Sequence, residues 1–340
     1  MTENLLKTFR GHVANDRVAD ALETVDDLHA AFTEDRARTA ADDTLATAVH
    51  FRTPAETDAD DAATEFMEAA TDGEQRRVEL NDAIAGYIAE ETPPEEVVSR
   101  VDATLGAYDT LKSKRSALAD AADGVSTGVV LHLGPIEGMR VPKGGSVAVA
   151  TDLANVGNDD AGSLSLSASA DDVVSVTLSP TSLDALGSGA ETAAGVDVAG
   201  EATGTTRVRV TVEGGGGEST AFRAEVLDKA DYVSEALSNA ERLLSDVEDR
   251  MDGKGGPLAG IRNRLEEMAK RLEQILDRIE NGKGKDVNNR IESVINRFEA
   301  LVNTLENDEE TGLKPRVRSE YLRRCRDSRD VLESAKTAEA

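Results

Sequence analysis

The sequence predicts a multidomain protein of α and β structure, with a helical bundle over residues 1–124, an antiparallel β-sandwich over residues 125–227 and a four-helix, coiled-coil-like bundle over residues 228–340. With 340 residues, the chain is longer than a typical single domain, so its length alone favours two or three domains. Apolar residues alternate with polar ones in the centre, which is typical of half-buried strands. Towards the end they recur in seven-residue cycles, which is typical of packed helices.

The chain is strongly acidic, with 66 acidic and 38 basic residues and a formal net charge of −28. The charge is −16 over residues 1–124, −8 over 125–227 and −4 over 228–340. High charge with few aromatic residues is found in disordered chains. It also suits folded proteins in multimolar salt, where a screening length of about 3 Å suppresses self-repulsion. Because the apolar residues are periodic, we favour the folded interpretation, and the composition resembles that of a haloarchaeal cytosolic protein.

The first segment carries apolar residues at helical spacing, interrupted at prolines. The first pattern ends at Pro54 and has His29 within its apolar stripe. A second helix is expected over residues 55–89, with an interruption near Gly73, and a third starts at Pro93-Pro94. Packed together, these helices would form an antiparallel bundle. The apolar positions are Val18, Leu22, Val25, Phe32, Leu45, Val49, Phe51, Phe66, Val78, Ile84, Tyr87, Ile88, Val97, Val101, Leu105, Tyr108, Leu111 and Leu118.

The centre, from Thr127 to Leu227, alternates with a period of two and contains turn signals rich in Gly, Asn and Pro. Successive strand side chains point to opposite faces, so this pattern buries one face and exposes the other. About seven short strands in this length predict an antiparallel sandwich. The alternating residues are Val147 and Val149, Leu164 and Leu166, Val174, Val176 and Leu178, Val196 and Val198, and Val208, Val210 and Val212.

Two turns within this region match a known pattern. Asn155-Val156-Gly157 follows an apolar strand, and Leu186-Gly187-Ser188-Gly189 precedes a closing strand pair. The arrangement resembles the immunoglobulin-like modules of the cell-adhesion-related (CARDB) and archaeal surface-protein type. The resemblance implies an immunoglobulin-like sandwich that serves as a spacer or binding module rather than as a catalyst.

The last segment predicts helices with a heptad seam, joined by Gly-Lys-rich turns at residues 252–257 and 281–286. These turns lack the Ser or Thr and the preceding strand of a phosphate-binding loop, so we expect capped helix ends. A fourth helix, about Pro315 to Ala335, closes the bundle with Cys325 in its apolar stripe. The seam residues are Val233, Leu237, Ala240, Leu244, Val247, Met251, Leu258, Ile261, Leu265, Met268, Leu272, Ile275, Ile279, Val287, Ile291, Val294, Phe298, Leu301 and Leu305.

Catalytic and metal-binding motifs are missing from the sequence. Asp26 and His29 have a spacing used in di-iron bundles, but a second such pair is missing. Asp58-x-Asp60-Asp61 lacks the Gly and distal Glu of a calcium loop. Cys325 lies between two arginines, which would activate an exposed thiol, but its apolar stripe favours a buried and inert one. We therefore nominate no catalytic, cofactor-binding or metal-ligating residue, and we expect no cofactor.

One charged feature stands out, because the helix after Leu313 is basic in an acidic protein. We expect this helix either to pack near acidic helices of the chain or of a partner subunit, or to dock nucleic acid or another anionic surface. Binding through phosphate contacts weakens steeply with salt, so nucleic acid is not the expected partner. The residues nominated for docking an acidic partner are Arg316, Arg318, Arg323, Arg324 and Arg326.

Together these features predict a non-enzymatic structural scaffold or protein-interaction protein that binds a protein partner or itself. A cell-surface adhesion module, and a nucleic-acid-associated or regulatory protein using the basic helix, are the alternatives. The start of the chain has no apolar run of signal-peptide length, and no stretch is apolar enough to span a membrane. One cysteine permits no intrachain disulfide. We therefore expect a cytoplasmic location, with the cell surface as the second possibility.

Overall fold

Helices precede and follow two β-sheets in the computed structural model, so the predicted multidomain α and β fold is confirmed at this level. The structure describes residues 1–55, 57–89, 91–251, 257–282, 286–307, 313 and 315–339. The Gly-Lys-rich turns, with Lys254 and Lys283, fall mostly outside the described residues.

Four helices form the first segment of the described chain. They are α1 (Thr2–Ala14), α2 (Val18–Arg52), α3 (Asp58–Ile88) and α4 (Pro94–Ala122). The Thr57 side chain accepts a hydrogen bond from the Asp60 N–H and so caps α3, while Pro94 occupies the first turn of α4, where no N–H is needed. Helix α3 runs through Gly73 without the predicted interruption, because a single glycine weakens a helix without ending it.

These helices bury two separate apolar clusters. One is built around Phe9, Phe32 and Tyr87, and the other around Phe66 and Leu118. The two clusters draw on different stretches of the same long helices, α2, α3 and α4.

Three predicted core positions of this segment are wrong. His29 is exposed, because Val25, Leu28 and Phe32 form the inward stripe of α2. Phe51 is 80% exposed in the last turn of α2, and Val78 is 46% exposed on α3. Helical spacing gives the width of an apolar stripe, but only the neighbouring helices decide where its edge lies.

Nine strands occupy the centre of the described chain, two more than predicted, and the shortest has only two residues. One sheet has the order β1-β3-β7-β5 and the other β2-β9-β8-β4-β6. All pairs are antiparallel except β2 with β9. The strands are β1 (Leu131–Leu133), β2 (Met139–Pro142), β3 (Ser146–Asn155), β4 (Leu164–Ser169), β5 (Val174–Ser179), β6 (Ser182–Leu183), β7 (Glu191–Gly200), β8 (Gly204–Glu213) and β9 (Glu218–Leu227).

The predicted alternation is clearest on β8, where Val208, Val210 and Val212 are fully buried. Strand β7 of the other sheet contributes Val196 and Val198 to the same apolar cluster. The inner faces of both sheets therefore share one core, as period-two spacing requires when one face of each sheet is covered.

The two predicted turns meet at the side chain of Asn155, which is fully buried. Its Oδ1 accepts hydrogen bonds from the N–H groups of Val130 and Gly157, at 3.3 and 3.2 Å. Its Nδ2 donates to the carbonyls of Asp159 and Leu186, at 2.8 and 3.1 Å. All four hydrogen-bonding positions of the amide are thus filled, which is the condition for burying it at low cost.

The same turn holds the connection from α4 to the first sheet. Asn158 accepts a hydrogen bond from the Gly128 N–H at 3.0 Å and donates to the carbonyl of Val125. Gly157 allows this close approach, because a Cβ there would lie 2.1 Å from the Gly128 carbonyl oxygen. The turn chemistry therefore fixes how the helical segment enters the β region.

In the described part of the last segment there are four further helices, namely α5 (Lys229–Asp249), α6 (Pro257–Glu280), α7 (Val287–Asn307) and α8 (Pro315–Thr337). Asp228 and Asp231 cap α5 reciprocally. The predicted heptad residues enter one apolar cluster, in which Leu265 and Leu272 are buried and Ile279 is half-buried. Consecutive helices contact each other, and α8 also contacts α5, so each of the four helices packs against two of the others.

Backbone hydrogen bonds tie the end of the described chain to the β region. The Glu339 N–H donates to the carbonyl of Lys143 at 2.8 Å, and its carbonyl accepts from the Lys229 N–H at 2.9 Å. Arg140 on β2 adds an ion pair with Glu235 on α5, at 2.7 Å. Helix α8 also contacts α2, α3 and β2, so it adjoins all three segments.

Asn155→Leu should lower the free energy of unfolding by about 3 kcal/mol, because the N–H groups of Val130 and Gly157 and the carbonyl of Asp159 lose their side-chain partner at a cost of about 1–3 kcal/mol for each group that is buried. The Leu186 carbonyl keeps a second hydrogen bond, from the Ala161 N–H at 2.9 Å. Chemical denaturation followed by circular dichroism would measure the loss. The exposed Asn4 provides the control, since Asn4→Leu should change stability by less than about 0.5 kcal/mol. Equal effects of the two substitutions would contradict the role of the Asn155 amide.

Candidate functional site

The basic helix α8 was the only nominated site, and its two faces differ. Tyr321, Cys325 and Leu332 lie in the core of the last segment. The arginines lie on the remaining faces, half-buried or exposed. Apolar spacing of three, four and seven places the core residues on one side of the helix, which leaves the arginines near its neighbours and the solvent.

Two of the nominated arginines bind carboxylates on neighbouring helices of their own chain. Arg324 forms ion pairs with Asp246 on α5, at 2.7 Å, and with Glu320 on α8. Arg326 contacts Glu306 on α7 at 2.6 Å. Two of these pairs join different helices, so these guanidinium groups contribute to packing within the last segment.

The other nominated arginines are less constrained by described contacts. Arg323 pairs with Asp327 one turn away at 3.1 Å, with its side chain 63% exposed. Arg318 is half-buried and lines a cleft, and it forms no ion pair with another described residue. The side chain of Arg316 lies outside what the structure describes.

A cleft of about 640 Å³ lies between α8, α2 and the end of α3. Leu22 and Ile88 contribute apolar groups to its lining, Glu23 and Asp26 contribute carboxylates, and Arg318, Arg323 and Arg326 of α8 contribute positive charges. Burial raises the pKa of Asp327 in this cleft, Arg323 opposes that rise, and the carboxylates of Asp330 and Asp26 add to it. The cleft is therefore lined by charges of both signs and is not a uniformly basic surface.

Cys325 is 1% exposed, as its apolar spacing predicted. Burial raises the pKa of its thiol to about 12, with a smaller contribution from Asp327. A thiol with so high a pKa remains protonated at neutral pH and is a poor nucleophile.

The residues considered for metal binding lie apart or are used otherwise. Asp26 and His29 are both exposed on α2. Asp60, at the start of α3, lies 2.6 Å from Nδ1 of His50. Within the described ranges, no group of three His, Cys, Asp or Glu residues is arranged to hold a metal ion.

His132 was not nominated, although it links two segments. Its Nδ1 lies 2.9 Å from the Thr44 hydroxyl, which joins β1 to α2. The residue is 7% exposed, and its Nε2 has no hydrogen-bond partner among the described residues. Burial lowers the pKa of His132, while the carboxylates of Asp152 and Asp42 act in the opposite direction.

A second cavity, also missed from the sequence, lies between the two apolar clusters of the first segment. We call it the waist cavity. It measures about 210 Å³ and is lined by Asp35, Arg36, Thr39, Ala40, Ala70, Gly73, Glu74, Arg77, Tyr108, Leu111 and Pro135. Four charged residues from α2 and α3 meet there at sequence positions that no motif connects.

Comparisons with known proteins identify no family. No protein-family model and no curated protein matches the chain. The secreted serine protease VesC from Vibrio cholerae is 16% identical, with a TM-score of 0.25 over 29% of this chain and 23% of the protease chain. The PapD-like domain 7 of human CEP192 is also 16% identical, with a TM-score of 0.25 over 30% of this chain and 87% of that domain.

Domains 4 and 5 of the S-layer protein SbsC show a similar level of likeness, with 20% identity and a TM-score of 0.21 over 29% of this chain and 50% of theirs. Likenesses at this level cover less than a third of the chain and carry no functional conclusion. Separately, none of the described helices is long and apolar enough to cross a membrane.

Arg324→Gln should lower the free energy of unfolding by about 1 kcal/mol, because it breaks an ion pair between helices at a side chain that is only 29% exposed. Arg323→Gln is the matched control on the same helix, and its effect should stay within about 0.5 kcal/mol. Chemical denaturation of both variants at the same salt concentration makes the comparison. A larger loss for Arg323→Gln would contradict this assignment.

The free energy of unfolding should fall as pH drops below about 6.5, the ordinary pKa of histidine. The pKa of His132 is lower when folded, so the unfolded chain takes up its proton first and gains stability as the medium becomes acidic. His132 therefore makes its full contribution to the free energy of unfolding above its ordinary pKa. That contribution is lost as the pH falls through the pKa that His132 has in the folded protein. Denaturation between pH 7 and 5 should show a smaller loss for His132→Gln than for the original chain, and parallel curves would argue against this linkage.

Proposed function

We propose that the protein is a non-enzymatic scaffold or protein-interaction protein. The observation that carries this proposal is the position of α8, which contacts helices of the first segment, helices of the last segment and β2. The half-buried Arg324 on this helix binds Asp246 within the chain, so its charge supports packing. A chain joined in this way can present several surfaces in a fixed arrangement.

The central region is proposed to be an immunoglobulin-like sandwich of the CARDB and archaeal surface-protein type. Two features support this: a core shared by two sheets, and the meeting of the Asn155 and Leu186 turns through a buried amide. The outer edges of β5 and β6 are available for contact with another chain, since each pairs with one strand among those described. The last segment is proposed to be a coiled-coil-like bundle, because its heptad residues fill one core.

We further propose that the protein works in a cytoplasm of high salt. The net charge of −28 supports adaptation to salt, because self-repulsion on this scale is relieved only by strong screening. An adhesion module at the cell surface is the alternative that the turn resemblance favours. Finding the native protein outside the membrane would replace the cytoplasmic proposal with that one.

Dilution from about 2 M to about 0.1 M KCl should expand the protein and reduce its helical circular dichroism signal, because the screening length grows from roughly 2 to 10 Å. Small-angle scattering and circular dichroism would follow the change. Returning the diluted protein to about 2 M KCl is the control and should recover the compact state. An unchanged radius and spectrum at low salt would refute the halophilic proposal.

The scaffold proposal predicts a defined oligomer or a stoichiometric complex in high-salt buffer, measured by light scattering of the pure protein and of complexes purified from native lysate. Replacing Arg323, Arg324 and Arg326 together with Glu tests whether the basic helix supplies the contact. Retained assembly would assign it to the sheet edges or heptad faces, whereas lost assembly with an unchanged helical spectrum would assign it to α8. A monomer that forms no stoichiometric complex would contradict the scaffold proposal.

A further inference from the structure

The waist cavity has a composition that suits a ligand better than a packing defect. Its walls are largely apolar, formed by Ala40, Ala70, Leu111 and the ring of Tyr108, whereas its charged groups come from neighbouring turns of α2 and α3. Apolar cavities of about 150 Å³ accept a molecule the size of benzene, so about 210 Å³ suffices for a compact organic molecule.

The charges in the cavity are separated. Asp35 and Arg36 are neighbours on α2, yet their side chains reach different helices. The carboxylate of Asp35 faces the hydroxyl of Tyr108 on α4, and burial together with this carboxylate raises the pKa of that hydroxyl. Arg36 reaches towards Glu74 on α3, with 3.7 Å between Nε and Oε1.

The charges also differ in how well they are paired. Arg77 donates to Glu74 from both Nε and a terminal nitrogen, so this edge of its guanidinium group already has a carboxylate partner. The contact from Arg36 to the same carboxylate is too long for a hydrogen bond, and the Arg36 side chain is 53% exposed. Asp35 forms no ion pair with another described residue. The Asp35 carboxylate, which the Tyr108 hydroxyl hydrogen-bonds, and the Arg36 guanidinium, which has only a long contact to Glu74, both keep hydrogen-bonding capacity for a ligand. The four charged side chains of the cavity sum to zero.

We propose that the waist cavity binds a small zwitterion, of the size and chemistry of an α-amino acid with an apolar side chain. Asp35 and the face of Tyr108 receive the ammonium group. Arg36 receives the carboxylate through its free donors, and Ala40, Ala70 and Leu111 enclose the apolar body. An ion of single charge would contact only one of these two groups and so gain fewer charge-assisted hydrogen bonds than a zwitterion.

Pro135, in the connection between β1 and β2, completes the wall. A bound ligand would therefore contact the first helical segment and the β region together. Occupancy would stabilise their contact and so regulate the arrangement of the segments. This proposal does not depend on the scaffold proposal, because it rests on the cavity alone.

Isothermal titration calorimetry of the full chain in high-salt buffer tests the proposal with L-alanine, L-valine and L-leucine. Isobutylamine and isovalerate are the matched single-charge probes, since each keeps the branched apolar body of L-valine with only one of its two charges. We expect at least one amino acid to bind and to raise the thermal midpoint, and each single-charge probe to bind at least about tenfold more weakly. A single-charge probe that binds as well as the amino acid would overturn the zwitterion assignment, and no binding by any amino acid would overturn the site.

Variants locate the binding. Asp35→Asn and Arg36→Gln should each weaken amino-acid binding at least about tenfold, and Ala70→Leu should abolish it by filling the cavity. Glu34→Gln, an exposed neighbour on α2 outside the lining, should bind as the original chain does. Circular dichroism checks that each variant is folded. Arg36→Gln should disturb the fold least, because the Arg36 side chain is about half exposed to solvent. Unchanged binding in Asp35→Asn and Arg36→Gln would place the ligand elsewhere and refute the proposal.

Discussion

The buried amide of Asn155 is the interaction on which the central region depends. It is enclosed by two turns and by the connection from α4, and each of its hydrogen-bonding positions is matched by a backbone group. Only an asparagine of this shape supplies two donors and two acceptors there, and an apolar residue would leave buried backbone groups unpaired. The turn at Gly157 completes the arrangement, because the Gly128 backbone passes where a side chain would otherwise lie.

Helix α8 connects the three segments of the chain, as the Asn155 amide connects the turns of the central region. Its apolar stripe enters the last core, its charged faces meet acidic helices, and Glu339 just beyond it forms backbone bonds with Lys143 and Lys229. In an acidic protein, a basic helix at such a junction reduces repulsion between segments. The same arginines looked like a docking surface in the sequence because their partners, such as Asp246, are far away along the chain.

Polar residues also separate the two apolar clusters of the first segment. The waist cavity forms where long helices carry Asp35, Arg36, Glu74 and Arg77 in place of core residues. Such an arrangement buries less apolar surface, and it places charged side chains, some of them half-exposed, around a cavity with apolar walls. Clefts that combine apolar walls with a few converging charged groups are typical of ligand sites.

The sequence by itself determined where helices and strands occur, because period-two and heptad spacing are local properties of the chain. It indicated the burial of Val208, Leu265 and Cys325, and the turns at Asn155 and Leu186. It did not place His29, Phe51 or Val78 correctly, since the edge of an apolar stripe depends on which helices cover it. Only the tertiary structure brought Arg324 to Asp246, His132 to Thr44 and Asp35 to Tyr108, because each contact joins residues distant in sequence whose spacing carries no periodic signal.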